Sequence, residues 1–169
     1  MAQSQEPEAQ SHVRQLVAVL DQAYDHVSWH GTNLRGSVRR VTAKQAAWRP
    51  GRRRHNIWEV VVHAAYWKYA VARRFTREGR GSFPLKGSNW FQRPVDRSQA
   101  TEKAWREDIA LLDRLHTVLR TEVAKLSDAD LCKTPSGSKV SNFALISGIG
   151  AHDLYHAGQI QLLKRLGPG

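Results

Sequence analysis

Apolar positions recur at helical spacing along most of the chain. Val13, Leu16, Val17, Leu20, Tyr24, Val27, Gly31 and Leu34 recur in the i, i+3, i+4, i+7 pattern of a helix with one buried face. They predict a first helix from Ser11 to about Val38. Gln45 to Gly51 reads as a short turn of helix stopped by Pro50-Gly51. A second long helix is predicted from Asn56, an N-cap residue type with Glu59 three positions later, as in a capping box. Its stripe is Ile57, Val60, Val61, Ala64, Trp67, Val71 and Phe75. Gly79 to Pro94 is rich in glycine and proline and reads as a long ordered loop. A third helix is predicted from near Ser98, with Trp105, Ile109, Leu112, Leu115, Leu119, Val123 and Leu126 on one side. After a turn-rich stretch from Asp128 to Lys139, a last helix opens at Ser141 or Asn142 and runs to Leu166, before Gly167-Pro168-Gly169. No segment alternates with the period of a strand. Four long amphipathic helices predict an all-α chain folded as a helical bundle.

Composition narrows the class. The 169 residues are 41% hydrophobic and 24% charged, the balance of a globular chain rather than a disordered one. Residues 11–166 are expected to form one domain, preceded by a flexible polar segment at 1–10. No stretch reaches the ~18 apolar residues of a membrane span. Met1 to Gln10 lacks the basic start and apolar run of a secretory signal. The single cysteine, Cys132, rules out an intrachain disulfide framework, and a cytoplasmic protein is expected.

The net charge of +11 is concentrated. Between Arg35 and Arg80 stand 13 Lys and Arg against two acids, Glu59 and Glu78, while the rest of the chain is balanced. Such an excess suits nucleic acid, a membrane surface, an anionic small molecule or simply a solvated face. Trp48, Trp58 and Trp67 are interleaved with it, but they fall at core spacing or beside a loop, which argues against a nucleic-acid surface.

Candidate chemistry lies in the eight histidines. His26/His30 and His152/His156 are each four residues apart, which on a helix stacks two imidazoles one turn apart, within reach of a single ion. On the last helix the apolar stripe runs Leu145, Ile149, then His152 and His156, then Ile160 and Leu163. Both rings therefore interrupt a core-facing side, where each needs a partner; a shared metal and separate hydrogen bonds both satisfy that need. His-Asp-Leu-Tyr-His differs from the zincin motif His-Glu-x-x-His. Asp153 is a methylene shorter than glutamate, and no His, Asp or Glu follows His156. A third ligand must therefore come from upstream. His63 is the candidate, sharing a face with Val60 and Trp67, with Glu59 one turn earlier as an acceptor for its ring. His30 is its rival. His116 lies beside the third stripe, and His12, His26 and His55 are expected to be exposed.

With His63 on the second helix and His152 and His156 on the last, and with Trp29-His30-Gly31, Ala47-Trp48-Arg49-Pro50, Asn56-Ile57-Trp58-Glu59, His63-Ala64-Ala65-Tyr66-Trp67-Lys68 and Tyr155-His156-Ala157-Gly158-Gln159-Ile160, the chain resembles the DinB/YfiT-like metalloenzyme superfamily from about Val13 to Leu166. The resemblance implies a four-helix bundle of up-down-down-up topology and a homodimer. It also implies a divalent metal ion (zinc, nickel or iron) held by His63, His152 and His156. Relatives of that kind include S-transferases using low-molecular-weight thiols such as bacillithiol or mycothiol, and a thiol-dependent maleylpyruvate isomerase. Asp153, Tyr155 and Gln159 match the surrounding motif, without a transferable role.

The expected function is therefore metal-dependent transfer of a small thiol onto an electrophile, because a coordinated thiol ionises near neutral pH and its thiolate is the nucleophile. The alternatives are a metal-binding bundle without catalysis and a basic nucleic-acid-binding protein. The homodimer is expected to cover some of the tryptophans, Trp90 and Trp105 among them.

Overall fold

Asn56 opens the helix that carries the largest share of the core. Its side-chain oxygen accepts the Glu59 amide at 2.8 Å, and the Glu59 carboxylate returns to the Asn56 amide at 3.4 Å, the reciprocal cap that the sequence predicts. The computed structural model describes residues 11–76, 79 and 81–167. Its helices are α1 (His12–Tyr24), α2 (Leu34–Ser37), α3 (Ala43–Ala47), α4 (Ile57–Thr76), α5 (Glu102–Ala124) and α6 (Asn142–Leu166), with 3₁₀ turns at Arg97–Gln99 and Asp128–Asp130. No strand occurs among the described residues. The segment 1–10, residues 77, 78 and 80 of the basic region, and the final Pro168-Gly169 lie outside them.

The four long helices pack on one another: α4 against α5 and α6, and α1 against α6 and α5. Val60 to Ala65 are all buried, so the middle of α4 is covered on every side. Apolar side chains gather in two clusters. One surrounds Trp58, Val61, Leu112 and Ile160 and takes in Tyr24 and Leu34. The other joins Leu16 and Leu20 to Val71, Leu119, Val123, Ile146 and Ile149. Each large side chain so buried contributes about 1.5–3 kcal/mol of transfer free energy.

The first helix is shorter than its periodicity predicts. It ends at Tyr24, where the amides of Asp25 and His26 both turn back onto the Asp21 carbonyl. Gly31 takes a φ of +97°, and Asn33 accepts the Gly36 amide to start α2. Polar turn formers between Asp25 and Asn33 thus interrupt the chain, while Leu34 still reaches the core. Val27, which continues the helical period in sequence, is 99% exposed. The third long helix begins a few residues late, because Thr101 is its cap and accepts the Ala104 amide.

The two tryptophans expected at a subunit contact make packing contacts within the chain itself. Trp105 is buried, meets Trp58 edge to face at 5.2 Å and donates its indole N–H to the Val41 carbonyl. Trp90 is half-buried between two histidine rings. Packing inside the chain accounts for both, and the fully exposed tryptophan is Trp29.

Candidate metal centre

α4 and α6 bring three imidazoles to one point. His63 Nε2 lies 3.1 Å from His152 Nε2, which lies 3.0 Å from His156 Nε2. Candidate ligand atoms of the three rings all fall within 4.8 Å of one another. His152 and His156 face the same way because they stand one turn apart on α6. His63 reaches them from α4, where its neighbours Val62 and Ala64 are fully buried. The local sequence therefore sets two of the rings, and the packing of α4 on α6 adds the third.

Each outer ring has its tautomer set by its second nitrogen. His63 Nδ1 donates to the Asn89 carbonyl at 2.8 Å. His156 Nδ1 donates to Gln159 Oε1 at 2.7 Å, and the Gln159 amide in turn donates to the Tyr155 hydroxyl at 2.9 Å. A protonated Nδ1 leaves Nε2 with a lone pair. Two such lone pairs therefore face His152 Nε2. Unprotonated imidazole nitrogens converging from two helices are a donor set whose chemistry fits a divalent cation. His152 Nδ1 is buried with no protein hydrogen-bond partner.

Burial keeps the rings neutral. Desolvation comes first in every case and lowers all three pKa values, His152 to about 3 and His156 to about 4, with neighbouring imidazoles adding to the effect. Unprotonated nitrogens at neutral pH are what a cation requires.

Aromatic rings wall the cluster. Trp90 stacks on His63 at 3.8 Å and on His55 at 3.6 Å, so it is sandwiched between two imidazoles. Trp67 stands 6.4 Å from His63 and 6.3 Å from His152 and is tied by its indole N–H to Asn89 Oδ1.

Glu59 is not the acceptor for His63. Its carboxylate takes two guanidinium bonds from Arg49 and one contact from His55, and these partners hold it below the usual carboxylate range against the cost of burial. The Asn89 carbonyl takes its place. His30 lies exposed in a turn, and His26 pairs with Asp25 at 2.6 Å; neither stands on a helix, so their spacing of four brings no convergence. His12 and His55 are exposed as expected, and His116 is buried. Asp153 points into the interior, where Lys68 pairs with it. Asn89 and Trp90 were not legible as site residues. They stand 26 and 27 positions from His63 in a glycine-rich loop, and only the return of that loop over α4 brings them there.

The basic region is scattered. Arg39, Arg40, Lys44 and Arg52 to Arg54 are exposed on turns and a short helix, Arg49 is paired with Glu59, and Lys68 is buried. No described helix is long and apolar enough to cross a membrane.

Comparison with curated proteins and with solved structures gave no match. The sequence model of the DinB superfamily matches residues 26–160, a span that contains all three converging histidines, the whole of α4 and α6 as far as Ile160. This chain belongs to the DinB superfamily.

Proposed function

We propose that this protein is a metal-dependent S-transferase that joins a low-molecular-weight thiol to a small electrophile. The observation that carries the reading is the convergence of His63, His152 and His156 through their Nε2 atoms, with the outer two rings held by Asn89 and Gln159. These three would hold a divalent ion, zinc, nickel or iron. Such an ion, with three neutral ligands, keeps its full charge and supplies Lewis acidity toward a thiol or a water. Trp67 and Trp90 flank the rings, and His152 is the most exposed of the three.

The proposal extends to architecture: an up-down-down-up four-helix bundle, cytoplasmic, and a homodimer. Exposed apolar side chains on α6, namely Phe143, Tyr155, Leu162 and Leu166, favour a second copy packing along that helix. Metal analysis of protein purified without an affinity tag, followed by thiol titration and a thiol-adduct assay, tests the activity. Stoichiometric metal with adduct formation is expected. Metal without any thiol turnover would mean a non-catalytic metal protein, and no metal at all would reject the centre.

A further inference from the structure

A layer of polar side chains crosses the interior where the two apolar clusters meet. Tyr24, Lys68, His116 and Asp153 come one from each of the four long helices, and each is at most 5% exposed. On α4, Lys68 falls between Ala65 of one cluster and Val71 of the other. On α5, His116 falls between Leu112 and Leu119, and on α6, Asp153 falls between Ile160 and Ile149. Lys68 Nζ donates to Asp153 Oδ2 and lies 4.8 Å from the centre of the Tyr24 ring. That ring stacks on His116 at 3.7 Å, and its hydroxyl donates to Asp113, which also accepts from Arg35.

Stability does not explain this layer. Taking a lysine and a carboxylate out of water costs free energy that their attraction only partly returns, and apolar side chains of similar volume often serve as well. The best-attested use of such groups is to select one register among several. α6 needs that selection. Ile146, Ile149, Ala157 and Ile160 are buried, yet Phe143, Tyr155, Leu162 and Leu166 are exposed, and Gly148 and Gly158 have open space where a side chain would stand. Apolar or small residues thus occur on every side of this helix, and apolar burial alone specifies its rotation poorly. Charge removes the ambiguity. Asp153 is the only acid from Asn142 to Leu166, and Lys68 is the only Lys or Arg from Ile57 to Ala72.

We propose that the Lys68–Asp153 pair sets the rotation and register of α6 against α4, and that both are positioning residues for the three-histidine cluster. Asp153 directly follows His152 and precedes His156 by three residues. One residue of helix corresponds to ~100° of rotation and 1.5 Å of rise, so a shift that breaks the pair also carries both rings away from His63. The consequence for metal affinity rests on the metal reading above; the consequence for ring contacts does not.

The test compares the wild type with Lys68→Met/Asp153→Leu, which removes both charges at once and leaves neither buried alone. In metal-free protein, selectively labelled imidazoles report the contacts of His63 with His152 and His156, whose ring centres lie 5.0 and 4.8 Å away, as nuclear Overhauser effects. Zinc affinity is read by chelator competition. The folded double variant is expected to lose those contacts and to bind zinc at least about tenfold more weakly. Retained contacts with zinc affinity within twofold of wild type would overturn the proposal, since a purely structural pair would move only the melting temperature. A wild type that shows the contacts but binds no zinc would reject the metal reading, with the role of the pair still decided by the contacts. If the apolar variant does not fold, Lys68→Gln/Asp153→Asn supplies a neutral directional bond in the same place. It is expected to keep the contacts, and their loss in that folded variant would equally overturn the proposal.

Discussion

The carbonyl oxygen of Asn89 accepts the Nδ1–H of His63 at 2.8 Å, so a loop residue decides which nitrogen of a helix residue faces the cluster. Asn89 adopts a φ of +65°, in the left-handed region that asparagine and glycine tolerate and β-branched residues do not. Asn89→Val is therefore expected to displace the loop and weaken zinc binding by about 10–100-fold. Asn89→Gly keeps the backbone and loses only the bond to Trp67, so its affinity should fall less than in the valine variant. Chelator competition measures both. Equal loss in the two variants would show that the carbonyl is not what orients the ring.

The pH dependence of metal binding follows from burial. Desolvation lowers His152 to about 3 and His156 to about 4 and also lowers His63. Protons compete for a nitrogen only as pH falls toward its folded pKa. Zinc affinity should therefore fall at lower pH than at a site of ordinary imidazoles, which begin to compete near pH 6.5, with protons competing for His152 and His156 only below about 5. Chelator competition across this range, with a chelator calibrated at each pH, checks it.

His116 should make stability acid-sensitive. Burial first, then Lys68, Arg120 and His26, lower its pKa to about 3 from 6.5. The unfolded chain therefore binds the extra proton between those values and the folded protein does not. Stability is complete above pH 6.5 and declines as pH falls, at about 1.4 kcal/mol per unit for one such group. His116→Phe retains a ring to stack on Tyr24 and should remove that much of the slope between pH 6 and 4 in denaturant titrations. An unchanged slope would contradict a neutral buried ring.

Nucleic acid should be held weakly. The exposed cations Arg39, Arg40, Lys44 and Arg52 to Arg54 sit on turns and a five-residue helix rather than in one helical stripe, and Lys68 is consumed inside the protein. We expect retention of DNA or RNA at low salt that disappears near ~0.15 M, as counterion release dictates for sequence-independent contacts. A tight complex surviving at that ionic strength would favour the nucleic-acid-binding alternative.

Light scattering at micromolar concentration is expected to give twice the mass of one chain. Leu162→Glu with Leu166→Glu places two charges on exposed positions of α6 and should shift the protein to monomer without unfolding it. A monomeric wild type would reject the proposed dimer.

Local sequence, through periodicity and capping residues, determined that this chain is helical, where α4 and α6 begin, and that His152 and His156 share a face. Those properties depend on residues within a few positions of one another: Asn56 capping Glu59, Ser141 capping Ala144, imidazoles one turn apart. The resemblance carried by short motifs singled out His63, which spacing by itself left in competition with His30. The same local logic ran too far at Val27, where apolar spacing continues across a real break, because periodicity does not register a turn. Tertiary structure decided everything that joins distant segments. It brought the loop at 89–90 over His63, turned Glu59 toward Arg49, enclosed Trp105 within the core, and paired Lys68 with Asp153 across 85 positions. Contacts of that kind depend on which faces of separate helices meet, and a helix that is apolar on all sides does not encode its own facing side.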